Sequence, residues 1–217
     1  MSDVNPTRSV AVEMKDERRA MHEGYVFLDE KCLLLAGEIL AELGRYGRLR
    51  RELLSSHEAA LDALRAAALR HGLDGLQVYP PADLASASVR RRARSLMGVR
   101  LQAAELDGTP QPAPAAVDRS PEGEACRRAF AAVVAAAVPL AASSGNLERL
   151  SLEYRRSVRR ARALQDVMLP ELDRSIADIE SRLEELEQED AIWMRSAAGD
   201  GPDAASEVAS ETGLEVG

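Results

Sequence analysis

Apolar residues recur every three or four positions in two long stretches of the chain, one near each end. Between Asn146 and Ser196 they are Leu147, Leu150, Tyr154, Val158, Ala161, Leu164, Met168, Leu172, Ile176, Ile179, Leu183 and Leu186. Glu, Arg and Asp fill the other faces, so the spacing predicts a long amphipathic helix with a narrow apolar seam. A narrow seam needs a partner helix of similar length to bury it.

The N-terminal stretch supplies this partner helix. Its seam comprises Met14, Met21, Tyr25, Leu28, Cys32, Leu35, Ile39, Leu43, Tyr46, Leu49, Leu53, Leu61, Leu64 and Leu69. Asn5 and Pro6 are typical of a helix start, since Asn caps the first turn and Pro fits its first position. Arg70, His71 and Gly72 are typical of a helix end, with a cationic last turn before a left-handed glycine.

Two long helices at opposite ends of a chain are expected to pair antiparallel. Nearly flush ends predict a register in which Met21 faces Leu186 and Leu35 faces Leu172. Around Leu172 the apolar step is four residues several times in succession, a stutter at which a left-handed supercoil unwinds locally. Pro170 lies in the same place and predicts a bend. Whether that bend is a tolerated kink or a functional one stays open.

The remaining segments differ in character from the two seams. Residues 72–122 are broken by glycine and proline, and residues 123–142 are Ala-rich and predict a closely packed helix. Pro139 and the run Ser143–Gly145 are expected to bend or interrupt that helix. We therefore expect an N-terminal helix over 1–71, a middle region over 72–122, C-terminal helices over 123–196 and a disordered acidic tail over 197–217.

Composition narrows the classes of function. Aromatic residues make up 3% of the chain, which is typical of long helices with a thin core. A net charge of −8 argues against nucleic acid as the main partner, so Arg90, Arg91, Arg92 and Arg94 are expected to form a solvated or protein-facing patch. The longest apolar run, 129–142, is too short to cross about 30 Å of hydrocarbon, so no membrane insertion is expected.

The sequence contains no recognisable arrangement for catalysis. No phosphate-binding loop or nucleophile motif is present, and His22, His57 and His71 are scattered along one predicted helix. Cys32 and Cys126 have neither metal-ligand nor disulfide-framework spacing, which suits a reducing cytoplasm. We expect no catalytic residue, no cofactor and no metal.

Four segments, in the correct order, resemble the D subunit of V/A-type rotary ATPases. They are Asn5-Pro6-Thr7-Arg8; Gly24-Tyr25-x-x-Leu28-x-x-Lys31; Ser95-Leu96-Met97-Gly98-Val99-Arg100; and Arg162-Ala163-Leu164-Gln165 with Leu169-Pro170-Glu171-Leu172. Arg162 and Gln165 replace the usual Asn and Glu of that family. Local propensity around Met97 leaves helix and strand open, but the resemblance implies a short β-hairpin there. The expected fold is therefore all-α: an antiparallel two-helix coiled coil with a small middle region that contains a hairpin.

The resemblance also implies a function, that of the central rotor shaft of a V/A-type ATPase or ATP synthase. Its implied partners are the catalytic A and B subunits, the F subunit and the funnel-shaped subunit that links to the membrane ring. The shaft would be non-catalytic and peripheral on the cytoplasmic face of the membrane. The implied rotor and interface residues are Asn5, Pro6, Thr7, Arg8, Gly24, Lys31, Met97, Gly98, Val99, Leu164, Pro170, Leu183 and Leu186.

Two other classes share the helical pattern. A coiled-coil adaptor or export-apparatus stalk has a similar shape but is not expected to carry the Met-Gly-Val segment. A lipid-surface helical protein needs a wide apolar face with basic rims, whereas both seams here are narrow.

Overall fold

A computed structural model describes residues 7–77, 79, 87–107, 116 and 119–199, with side chains up to residue 196. Its elements, in order, are α1 (Arg8–Gln77), β1 (Ser88–Leu96), β2 (Val99–Asp107), α2 (Pro121–Ala163), a π-helical turn (Leu164–Met168) and α3 (Leu169–Gly199). The expected fold class, long terminal helices with a small hairpin between them, is confirmed. Asn5, Pro6, the acidic tail beyond Gly199 and most of the loop prolines lie outside the described residues.

The described chain forms two compact units. One contains the two chain ends, and we call its described parts, 7–27 and 161–199, the terminal helix pair. The other runs from Leu28 to Arg160 and contains the β-hairpin, so we call it the hairpin unit.

Most predicted seam positions face inward. Cys32 and Leu35 on α1 and Leu150, Ile176 and Ile179 on the C-terminal helices are buried. Four predicted seam residues are instead exposed: Leu43, Leu69, Met168 and Leu186. An α-helix has 3.6 residues per turn, so a list built on steps of three and four drifts off the covered face over several turns.

The predicted register of the two helices is wrong by more than one heptad. Arg8 pairs with Glu187 and Arg18 with Asp173, which leaves Met21 far from Leu186. Leu35 likewise shares its core with Leu150 rather than with Leu172. Periodicity is unchanged by a shift of any whole number of heptads, so the prediction depended on flush ends. The ends are not flush, because α3 continues to Gly199 beyond the residue that faces the start of α1.

The middle of the chain contains the predicted β-hairpin. β1 and β2 pair antiparallel from Ser88 opposite Asp107 to Leu96 opposite Val99. The turn residues Met97 and Gly98 both have positive φ, 47° and 85°. A two-residue turn with positive φ at both positions matches the twist of a hairpin, and this explains why glycine stands second.

The core of the hairpin unit is small and lies under β2. Val99 and Leu101 of the strand meet Leu35 of α1 and Leu150 of α2. Ile39, Leu96 and Tyr154 pack around these four residues. β2 therefore packs on both long helices, whereas every residue of β1 before Leu96 is exposed.

The structure has the predicted helix break at Gly72 but not the one at Pro139 and Ser143–Gly145. α2 continues through Pro139 and Ser143–Gly145, so the expected interruption is wrong. Ser143 is 1% exposed within the packed helix, where tertiary contacts outweigh the weak helix propensity of Ser and Gly. In α1, Gly72 has the predicted left-handed φ of 69°, but helix follows it as far as Gln77.

The predicted stutter corresponds to a π-helical turn. The N–H of Leu169 donates to the carbonyl of Leu164, five residues back, and Pro170 follows at once. A π turn widens the helix by one residue, which fits the local unwinding expected from the apolar steps of four.

One helix of the described chain is long and apolar enough to cross a membrane by length and composition, although its longest apolar run alone is too short. The helix over Pro121–Ser196 contains an 18-residue window with a mean hydropathy of 1.6, of which 11% is buried. The apolar run predicted from the sequence ends at Ala142, although uncharged residues continue to Leu147. Composition alone does not make such a window a membrane span, since core helices of water-soluble proteins contain similar ones.

Candidate functional site

Three ion pairs connect the helices of the terminal helix pair. Arg8 Nη2 lies 2.5 Å from Glu187 Oε1, and Lys15 Nζ lies 2.5 Å from Glu180 Oε1. The third pair joins Arg18 and Asp173. Hydrogen bonds from the guanidinium groups of Arg8 and Arg18 to these carboxylates raise the pKa of both arginines. All three pairs are solvent-exposed, so each adds little to stability, but together they define one register.

Small and aliphatic residues form the inner face of this helix pair. Ala11, Ala161, Ile176 and Ile179 are buried. At Gly24 a Cβ would lie 3.9 Å from Leu164 Cδ1, which is ordinary contact distance, so the site tolerates alanine but little more. Gly24 and Leu164, both implied by the resemblance, are therefore brought together at the beginning of the π turn.

The far end of α3 presents apolar side chains to solvent. Leu183 is half-buried, whereas Leu186 is 45% exposed. Ile192, Trp193 and Met194 are more than half exposed.

Thr7, at the start of α1, accepts a hydrogen bond from the N–H of Val10 and caps the helix.

In the hairpin unit, the side chain of Asn146 holds strand β2 to helix α2. Its Oδ1 accepts from the N–H of Gln102 at 2.8 Å, and its Nδ2 donates to the carbonyl of Gln102 at 2.8 Å. Nδ2 also lies 3.3 Å from Glu42 Oε1 on α1, and Arg149 donates to Oδ1. One buried amide therefore links the strand to both long helices. Sequence reasoning missed this residue, because a single Asn in a helix carries no signal for such a role.

Lys31 forms a largely buried ion pair with Glu153. Its Nζ lies 2.5 Å from Glu153 Oε1, and the two side chains are 14% and 25% exposed. The hydrogen bond from Lys31 lowers the pKa of Glu153 against the opposing effect of desolvation, and the charges of Lys31, Arg156 and Arg160 lower it further. Lys31, implied as a functional residue, is thus bonded within the chain.

The Met97-Gly98-Val99 segment divides between surface and core. Val99 is buried under the hairpin, whereas Gly98, at the tip of the turn, has no atom within 4 Å of a hypothetical Cβ. Along the strand behind the tip, Arg94 pairs with Glu38 and Arg90 with Asp107.

An exposed stripe of leucines and glycines runs along α1 of the hairpin unit. Its members share a heptad spacing that places them on one helix face: Leu33, Gly37, Leu40, Gly44, Gly47 and Leu54. Leu33 and Leu40 are each 69% exposed, and a Cβ at Gly37 or Gly44 would meet no atom within 4 Å. We call this face the Leu–Gly stripe. This face combines exposed leucines with small residues that leave open space beside the helix.

The family model described as the D subunit of ATP synthase matches residues 11–198 of the chain. The chain belongs to the family of ATP synthase D subunits. It is 28% identical over 196 residues to the D subunit of the A-type ATP synthase of Pyrococcus abyssi, a match that covers 88% of this chain and 92% of that protein. It is 26% identical over 199 residues to the D subunit of the V-type ATP synthase of Thermotoga neapolitana, with 88% and 95% covered. The A-type protein of Methanopyrus kandleri is 27% identical over 198 residues, with 90% and 85% covered.

Membership in this family makes the chain a stalk subunit of a rotary ATP synthase. His71 and Ser120 lie 2.5 Å apart, but Ser120 caps α2 through the N–H of Gly123. Within the described residues, no group of three His, Cys, Asp or Glu side chains could hold a metal ion.

Proposed function

We propose that the chain is the central rotor shaft of an A/V-type rotary ATPase. In this role it transmits torque between the ring of A and B subunits and the membrane ring, and it catalyses no step itself. Membership in the family of D subunits carries the proposal. The terminal helix pair supports it, since a shaft must resist sliding of one helix along the other, and three ion pairs in one register oppose that movement.

The terminal helix pair is the part that we propose to contact the catalytic ring. Its exposed end residues, which include Arg8 and Leu186, are suited to touch surrounding subunits because they are not covered within the described chain. Thr7, Leu183 and the π turn before Pro170 are proposed to lie along the same contact. A widened turn and a proline make two sides of the pair different, and a rotor needs such asymmetry to act differently on three similar sites.

The Leu–Gly stripe is the surface that we propose for the small F subunit of the stalk. Leu33 and Leu40 offer exposed apolar area, and the bare faces at Gly37 and Gly44 admit a helix at short distance. A protein that rotates with the shaft needs a lateral surface of this kind. Met97 and Gly98 at the hairpin tip are further candidate contacts.

The apolar window of α2 is proposed to face a protein rather than lipid. It lies in a helix that also carries the buried core residue Leu150 and the ion-paired Glu153, which ties the helix to its own unit. The funnel-shaped subunit that links to the membrane ring is the proposed partner of this surface. The chain would then be peripheral on the cytoplasmic face of the membrane.

Native mass spectrometry of the chain co-expressed with A and B subunits tests the rotor role. A rotor shaft joins the assembly as one copy per three A–B pairs. An adaptor would bind through the middle of the chain, without that ratio and without effect on ATP turnover. An A–B assembly that excludes the chain, or takes up three copies, contradicts the proposal.

Two single variants, one on the proposed ring contact and one control, test torque transmission. Leu186→Glu is expected to uncouple ATP hydrolysis from ion pumping, because it places a charge on the proposed ring contact. Leu152→Glu is the control, since Leu152 is 49% exposed and Leu186 45%, but Leu152 lies in the hairpin unit. Equal coupling in both variants would argue against contact at Leu186.

A further inference from the structure

Strand β1 has one long edge that no described residue covers. The eight residues from Ser88 to Ser95 are exposed, and Leu96 is half-buried. The sheet has two strands, so β1 pairs with β2 on one side only. On the other side, no hydrogen bond joins the backbone of β1 to any residue that the structure describes.

The bonds of Gln102, on β2, indicate which backbone groups of the facing strand β1 point away from the sheet. The N–H and carbonyl of Gln102 both bond to Asn146, so they point away from β1. Gln102 lies opposite Ala93. In an antiparallel pair, facing residues alternate between those that exchange both hydrogen bonds and those that exchange none, so Ala93 also points its groups away from its partner strand. The same alternation applies to Val89, Arg91 and Ser95.

The charge of this edge determines what can pair with it. Arg90 and Arg94 are held in ion pairs within the hairpin unit, whereas Arg91 and Arg92 make no ion pair with a described residue. Arginines on an edge strand oppose pairing with another copy of the same strand, because like charges would face each other. They favour an acidic strand, because opposite charges on neighbouring strands attract each other. Consecutive strand residues lie on opposite faces, so Arg91 and Arg92 each require an acidic neighbour on its own face.

We propose that β1 accepts an extended acidic segment of a partner protein as a third strand. The main chain of that segment bonds to Val89, Arg91, Ala93 and Ser95, as in other cases of strand addition. Two consecutive acidic residues of the segment lie opposite Arg91 and Arg92, where cross-strand neighbours are close enough for ion pairing. This interaction is independent of the rotor role and would serve an adaptor equally well.

Peptide binding to the full chain tests this proposal. The probe is a labelled peptide of about eight alternating Thr and Val residues, a typical strand length, with a central Glu-Asp pair. Its control has Lys-Lys at the centre. We expect the acidic peptide to bind and the basic one to bind at least about tenfold more weakly, since two attractive pairs become repulsive.

Amide hydrogen exchange distinguishes strand addition from nonspecific charge attraction. In the free chain the amides of Arg91 and Ala93 should exchange quickly, while those of Arg90, Arg92 and Arg94 are protected by β2. On binding the acidic peptide, Arg91 and Ala93 should become protected. Protection of these amides in the free chain, or binding without alternating protection, overturns the proposal.

Two variants separate the backbone contribution from the charge contribution. Ala93→Pro removes an outward N–H without removing a hydrogen bond to β2, and proline is tolerated on such an edge, so the hairpin should remain and the peptide should bind about tenfold more weakly. The double variant Arg91→Glu, Arg92→Glu should bind the Lys-Lys peptide more tightly than the Glu-Asp peptide. Unchanged binding in Ala93→Pro with an intact hairpin overturns the proposal. A single-stranded oligonucleotide is a further control. If it binds as tightly as the acidic peptide and Ala93→Pro does not weaken its binding, the surface is a general anion surface and the proposal is overturned.

Discussion

The side-chain amide of Asn146 bonds to both the N–H and the carbonyl of Gln102, each at 2.8 Å. An Asn amide presents one acceptor and two donors, so it can satisfy an outward-facing strand residue as a neighbouring strand would. Asn146 is 3% exposed and Gln102 is half-buried, so both bonds are partly shielded from water. The hairpin is thereby fixed to α2 at one point.

Asn146→Ala should destabilise the chain by about 1–3 kcal/mol, because the half-buried backbone groups of Gln102 and the buried carboxylate of Glu42 lose this partner. Urea unfolding followed by circular dichroism measures the change, and the amide of Gln102 should exchange faster with solvent. Ser144→Ala, two residues away, is the control and should change the free energy of unfolding by less than about 0.5 kcal/mol. An equal effect of both variants would show that Asn146 does not clamp the strand.

Reversing the charges of Arg18 and Asp173 tests the register of the terminal helix pair. Asp173→Arg alone should lower the free energy of unfolding by a small but measurable amount, since it replaces attraction by repulsion between exposed groups. Adding Arg18→Asp should recover most of that loss. A double-mutant cycle measures the coupling, and zero coupling at low salt would mean that these residues do not face each other in solution.

The stability that Glu153 contributes should decrease in acid. Its pKa is lowered in the folded chain, chiefly by the hydrogen bond from Lys31. A group whose pKa falls on folding stabilises the chain at pH values above its unfolded pKa, and that stabilisation is lost as the pH falls through the folded value. The difference in free energy of unfolding between the native chain and Glu153→Gln should therefore be constant near neutral pH and shrink below about pH 4.5. A difference that grows in acid would contradict the assignment.

Substitutions at the two residues of the hairpin turn separate effects on stability from effects on partner binding. Met97 has a φ of 47°, a conformation in which Asn is favoured over other side chains. Met97→Asn should therefore stabilise the chain by about 0.5–1 kcal/mol. Gly98→Val should destabilise it by at least about 1–2 kcal/mol, since φ is 85° there. Thermal unfolding checks both, and loss of partner binding in the more stable Met97→Asn variant would identify Met97 as a contact.

Glycine replacement in the Leu–Gly stripe should have opposite effects on stability and on binding. Gly44→Ala should raise the stability of the isolated chain by about 0.5–1 kcal/mol, because alanine favours helix and its Cβ meets no atom. The same change should weaken binding of the F subunit if a helix approaches closely there. Isothermal titration measures the affinity, with Leu152→Ala as an exposed apolar control outside the stripe. Binding unaffected by Gly44→Ala and Leu40→Ala would place the F subunit elsewhere.

Local chemistry in the sequence determined much of this protein. The apolar spacing predicts both long helices, because an amphipathic helix must bury one face. Gly98 is consistent with the hairpin that the resemblance implied, since glycine adopts the positive φ of a hairpin turn without strain. The seam residues Leu35, Leu150, Ile176 and Ile179 were identified correctly, since burial follows from helical period over a few turns.

Only the tertiary structure decided the features that depend on distant residues meeting. The register differs from the prediction because a heptad pattern is unchanged by a shift of any whole number of heptads, and ion pairs such as that of Arg8 with Glu187 select among the alternatives. α2 runs on through Ser143 because packing outweighs propensity there. The link from Asn146 to Gln102 spans 44 residues of sequence, and no local pattern records a contact made at that distance.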